Sequence, residues 1–177
     1  MYTKAAPVES RTFRHFTVAT TGTRESVMRG VNGATPASVA WPLANLAIYV
    51  PIIINETATI YQVGCGTGAT AGGNFDIGLY DLAGTRLQST GSSARTASAW
   101  NPVNWTDLVV QPGVYYAAMA ADGTNNYSAT NQAAGLLESV GILEQTSAFA
   151  LPATATFAKT TRAFCPVIDF TMRSVAI

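Results

Sequence analysis

Hydrophobic and polar residues alternate along most of this chain, and turn residues break the alternation roughly every ten positions, the spacing of short strands rather than helices. Leu46-Ala-Ile-Tyr-Val-Pro-Ile-Ile-Ile54 is a β-branched apolar run, and Pro51 within it predicts a sheet edge or a bulge. A turn at Asn55-Glu56 leads to a second strand over 57–63. From 74 to 90 the pattern is clearest. Phe75, Ile77 and Leu79 alternate with Asn74, Asp76 and Gly78, which predicts one buried and one wet face. Asp81-Leu-Ala-Gly84 supplies a turn, and Thr85-Arg-Leu-Gln-Ser returns as the partner strand of a hairpin. Another strand is predicted over 105–110, then a tight turn at Gln111-Pro-Gly113. The stretch 114–121 is apolar on both faces and so central in its sheet. Residues 135–141 fit one or two helical turns. Phe164, Pro166, Ile168, Phe170 and Met172 alternate through a closing strand over 163–175.

Before Pro42 the chain is rich in Thr, Ser, Gly and Arg and lacks sustained alternation, except over 13–19. The expectation is an all-β protein, a β-sandwich or jelly roll over 41–177, preceded by an extended N-terminal arm over 1–40 and containing at most one short helix. A chain of 177 residues suits one such domain rather than two.

Composition adds a motive for association. Hydrophobic residues make up 48% of the chain and charged residues only 11%, which excludes a disordered chain and leaves a surface of Thr, Ser, Asn, Gln, Gly and Ala. Lys4 and Lys159 are the only lysines. So little charge gives weak protection against association, and a homo-oligomer is expected. Ten basic residues balance ten acidic ones, so the footprint of a nucleic-acid binder is missing. The balance hides an asymmetry: over 1–40, Lys4, Arg11, Arg14, Arg24 and Arg29 stand against Glu9 and Glu25, which is five minus two, or +3. That predicts a basic arm on an acidic neighbour. Its apolar and basic residues, Tyr2, Val8, Arg11, Phe13, Arg14, Phe16 and Val18, are the candidate contacts with a larger particle.

Few residues carry chemistry. Cys65 and Cys165 have neither metal-ligand spacing nor the density of a disulfide framework, and read as two buried thiols. His15 is the only histidine and falls in the arm, so neither a catalytic triad nor a zinc site is expected, and no cofactor. Gly64-Cys-Gly-Thr-Gly-Ala-Thr-Ala-Gly-Gly73 lacks the Lys-Ser/Thr and following helix of a phosphate loop and reads as a flexible loop. Asp76 and Asp81 are too oddly spaced to converge as a glycosidase pair, and Asp81 reads as the turn residue. The N-terminus has no secretory leader pattern, and no apolar stretch is long enough for a membrane span. Synthesis in a cytoplasm without a membrane partner is therefore expected, and the triplets at Asn55, Asn104 and Asn126 carry no weight as glycosylation sites. The rival to a purely structural role is glycan binding by Trp100, Asn104, Trp105 and Tyr127, with rings for stacking and amides for hydroxyls.

Four pieces in order carry a resemblance. Trp41-Pro-Leu-Ala-Asn-Leu-Ala-Ile-Tyr-Val-Pro, Gly73-Asn-Phe-Asp-Ile-Gly-Leu-Tyr-Asp-Leu-Ala-Gly-Thr-Arg-Leu, Gln111-Pro-Gly-Val-Tyr-Tyr-Ala-Ala-Met-Ala and Phe149-Ala-Leu-Pro-Ala-Thr-Ala-Thr-Phe157 together resemble a recurrent β-domain of tailed-bacteriophage structural proteins, over about residues 41–170. The resemblance implies a virion component without an enzyme site. A capsid decoration or cement protein, trimeric and bound to the major capsid protein or another virion protein, suits one domain and an arm. A head-fibre, small tail or baseplate protein that recognises a host surface glycan is the alternative. The resemblance brings no residue-level site with it.

Overall fold

The computed structural model describes residues 15–16, 23–26, 36–70 and 72–174. The chain runs through β1 (His15–Phe16), β2 (Thr23–Ser26), β3 (Ala37–Ala40), β4 (Leu46–Ile54), β5 (Ala58–Gly66), β6 (Asn74–Tyr80), β7 (Arg86–Ser89), β8 (Ser93–Ala94), β9 (Trp100–Val110), β10 (Gly113–Ala121) and β11 (Asn126–Thr130). A short helix α1 (Ala134–Ser139) follows, then β12 (Leu143–Gln145), β13 (Ala158–Lys159), β14 (Cys165–Pro166) and β15 (Ile168–Ser174). The helix ends where Gly141 N–H and Ile142 N–H return to the carbonyls of Glu138 and Leu137, the paired bonds that close a helix C-terminus.

The strands build an all-β sandwich of three sheets. The large sheet has the order β13-β12-β4-β10-β6-β7, with β1 beside β4 and β8 beside β6. Facing it are a four-stranded sheet, β2-β15-β5-β9, and a three-stranded one, β14-β11-β3. All pairings are antiparallel except β1 with β4. The two-residue link Gln111-Pro112 carries the chain from one sheet to another, because β9 and β10 do not pair with each other. Likewise the predicted closing strand is divided: β14 pairs with β11, and β15 pairs with β5 and β2.

Period-two burial explains the core. Leu46, Ile48, Val50, Ile52 and Ile54 of β4 pack inward with Phe75, Ile77 and Leu79 of β6 and Ala117, Met119 and Ala121 of β10. They meet Ile60, Val63 and Cys65 of β5, Trp105 of β9, and Ile168, Phe170 and Met172 of β15. Pro51 sits in a central strand rather than at a sheet edge, but on the flank away from β10 it falls in a gap: β12 pairs only with Ala47, Ile48 and Tyr49, and β1 only with Ile53 and Ile54. A residue without an N–H is tolerated where the ladder is interrupted.

The hairpin forms as its sequence demands. Asp81 N–H donates to Thr85 O, Thr85 N–H donates to Asp81 Oδ1, and Gly84 closes the turn at φ 86°, where a Cβ is disfavoured. The wet face expected of β6 is corrected: Asp76 is fully buried. The reason lies far along the chain. The loop between β12 and β13, residues 146–157, folds as a strap over the outer face of the large sheet. Ala148 N–H donates to Asn45 O, Tyr80 OH to Pro152 O at 2.6 Å, and Thr156 N–H to Gln145 Oε1 at 2.7 Å. Beneath it Ala47, Tyr49, Tyr80, Ala118 and Ala120 form a second apolar cluster with Ala148 and Leu151 of the strap, and Phe157 lies edge-on to Tyr49 at 5.0 Å.

Candidate functional site

Three ionisable side chains, each at most 7% exposed, act as internal fasteners. Asp76 accepts from Leu151 N–H at 2.9 Å and from Thr90 Oγ1 at 3.0 Å, pinning the strap to β6. Burial pushes its carboxyl above the ordinary aspartate range, against the opposing pull of those hydrogen bonds and of nearby Arg86. Glu144 accepts from Thr160 Oγ1 at 3.0 Å and from Thr161 N–H at 3.2 Å, with Arg162 Nε 3.7 Å away, and so holds the segment after β13. Arg95 donates through Nη2 to Gly68 O and Asn126 O and lies 4.8 Å from the centre of the Tyr127 ring. Its Nε and Nη1 have no acceptor, and the ring face compensates the cation. None of the three was visible in the sequence as a fastener, since each partner comes from a distant segment.

The four glycan candidates separate. Trp105 is packed in the core against Phe170, ring centroids 5.9 Å apart, and Tyr127 is packed edge-on to Trp41 at 5.4 Å. Neither ring offers a face for a sugar to stack on. Trp100 and Asn104 lie on the outward face of the four-stranded sheet, where Gln62 Nε2 donates to Asn104 Oδ1 at 2.8 Å. The Trp100 ring covers Gly64 so closely that a Cβ there would stand 2.6 Å from Cζ2. The glycine run expected as a flexible loop begins instead as strand: Gly64, Cys65 and Gly66 belong to β5, and Gly64 admits the indole. Gln62 and Tyr61, which lies 5.4 Å under the Arg173 guanidinium, are neighbours on this face that only strand register reveals.

Of the arm candidates, Phe16 lies in β1, paired with Ile54 of β4. Tyr2, Val8, Arg11, Phe13, Arg14 and Val18 lie outside the described residues. Cys65 and Cys165 are both buried and free, as expected, and burial raises both thiol pKa values. Asp81 is the turn residue, and Asp76 lies buried beneath the strap. Among the described residues no group of His, Cys, Asp and Glu is placed to hold a metal ion, and no helix is long and apolar enough to cross a membrane.

No protein-family model matches the chain, and no curated protein sequence matches it. What the site offers must therefore be read from its own groups. Asp107 pairs with Arg173, Glu138 with Lys159, and Asp122 accepts from the backbone N–H and the side-chain amide of Asn74. Asp81, Arg86, Glu56 and Asp169 are engaged as well. From residue 36 to 174, then, every charged residue takes part in an interaction within the chain, and beside neutral polar groups the body exposes Leu43, Leu82, Leu87, Val109 and Val114.

Proposed function

We propose that the protein is a non-enzymatic structural component of a larger particle: a decoration or cement protein of the tailed-bacteriophage type, made in the host cytoplasm and incorporated into the virion as a homotrimer. The observation that carries this reading is the engagement of each charged side chain of the body within its own chain. Protein interfaces bury apolar and neutral polar surface and disfavour unpaired ions, so a surface of this kind meets a protein neighbour at little desolvation cost. The passages from β4 to β5 and from β9 to β10, each moving between sheets, support the jelly-roll part of the resemblance.

The test is binding to particles. Purified protein added to capsids assembled without it should co-sediment and saturate at a fixed stoichiometry. Binding to isolated tails but not to heads would move the protein to a tail or baseplate role. Failure to bind either would remove the virion reading.

A further inference from the structure

The two outer faces of the sandwich are finished differently. The strap covers the large sheet, whereas the outward face of the four-stranded sheet keeps Pro102 and Asn104 exposed and Trp100 and Gln62 half-buried. Alternation along β9 puts Trp100, Pro102 and Asn104 on this face, because Asn101, Val103 and Trp105 turn inward. At the rise of an extended strand, that row is about 13 Å long, room for a short oligosaccharide. The indole lies over Gly64, where a Cβ would stand 2.6 Å from Cζ2 and 2.9 Å from Cε2, so the missing side chain lets the ring settle onto β5. Farther along the same pairing, Gln62 Nε2 donates to Asn104 Oδ1 at 2.8 Å. That bond orients both amides and leaves Gln62 Oε1 to accept and Asn104 Nδ2 to donate. Beyond them Tyr61 lies 5.4 Å under the Arg173 guanidinium, and Arg173 in turn pairs with Asp107, so these two charges neutralise each other. We propose that this face binds a neutral saccharide chain, with Trp100 stacking on the apolar side of a pyranose ring and Gln62 and Asn104 reading its hydroxyls. Sugar hydroxyls both donate and accept, which matches an amide pair offering one of each, and the paired ions match a ligand without charge. Of the residues named from sequence for glycan binding, the site keeps Trp100 and Asn104 and adds Gln62. It stands apart from the decoration role and does not depend on it.

The experiment titrates the full chain with cellohexaose, maltohexaose, mannohexaose and xylohexaose, followed by calorimetry and tryptophan fluorescence. Trp41 and Trp105 are buried, so a change in emission on binding reports on Trp100. At least one hexasaccharide should bind, and Trp100→Ala and, separately, Asn104→Ala should each weaken that binding at least about tenfold. Thermal unfolding checks each variant. Asn104 is exposed, so Asn104→Ala keeps the test decisive if loss of the indole unsettles β5. The proposal is overturned if none of the four sugars binds, or if binding persists at full strength in both variants. It is overturned too if the substitutions abolish co-sedimentation with capsids while no sugar binds, since the face is then a protein contact and the decoration role stands. Sugar binding by a chain that does not bind capsids or tails leaves this site in place and removes the decoration role instead.

Discussion

Trp105 shows how one residue distinguishes packing from recognition. Its indole is enclosed against Phe170, and its Nε1 has no acceptor, so its contribution is shape and apolar area. Trp105→Ala should destabilise by about 3–5 kcal/mol, and Trp105→Phe by distinctly less, because no hydrogen bond is lost with the ring nitrogen. Chemical denaturation measures both. A glycan array that shows binding abolished by Trp105→Ala at unchanged stability would contradict the packing role. Asp76 gives a second residue-scale expectation, in pH. Because its pKa is raised in the fold, the stabilising form is the neutral one. That contribution is fully present below the ordinary aspartate pKa and is lost as pH rises through the raised value. Asp76→Asn removes the titration. The stability of the native protein relative to this variant should therefore fall as pH rises from the ordinary aspartate range through the raised value, and a constant difference would show that the carboxyl does not titrate there. Asp76→Ala instead leaves the Leu151 N–H buried without an acceptor, at a cost of about 1–3 kcal/mol.

At the scale of elements, what could be read in the sequence was local, and what could not was remote. The hairpin of β6 and β7 was legible because alternation and an Asp-x-x-Gly turn lie within one short window, and β10 because apolar residues on both faces mark a central strand. The strap was not. Nothing near Asp76 says that Leu151 will cover it. The fate of Trp105 was equally hidden. Trp105 and Val110 face the core although an odd number of positions separates them, because the register of β9 on β5 shifts opposite Tyr61. A single sequence announces alternation but not where a ladder slips. Gly64 and Tyr80 test these two elements. Gly64→Ala places a methyl against the Trp100 ring and the Asn101 carbonyl, 2.6 and 2.8 Å from the new carbon, and should cost about 1–3 kcal/mol. Tyr80→Phe removes the strap's bond at Pro152 O and should cost about 0.5–1.5 kcal/mol, with faster hydrogen exchange at the Leu151 amide.

For the whole molecule the deciding quantity is where the charge goes. In an ordinary soluble domain, ions spread over the surface keep copies apart. Here the charged groups of the body are fastened inside the chain, and Lys159 with Glu138 and Arg173 with Asp107 cancel each other on its surface. An assembly formed through such a surface rests on apolar and neutral polar contact. Salt screens exposed ion pairs strongly but leaves apolar burial in place, or strengthens it when the salt is sulfate. The purified protein should therefore scatter light as a closed trimer at micromolar concentration and keep that mass when sodium chloride is raised to about 0.5 M. A trimer that dissolves in salt would mean that the copies are held by ion pairs, and the neutral surface would lose its explanatory role. A protein that stays monomeric at every salt concentration would leave the low charge without a function in self-association.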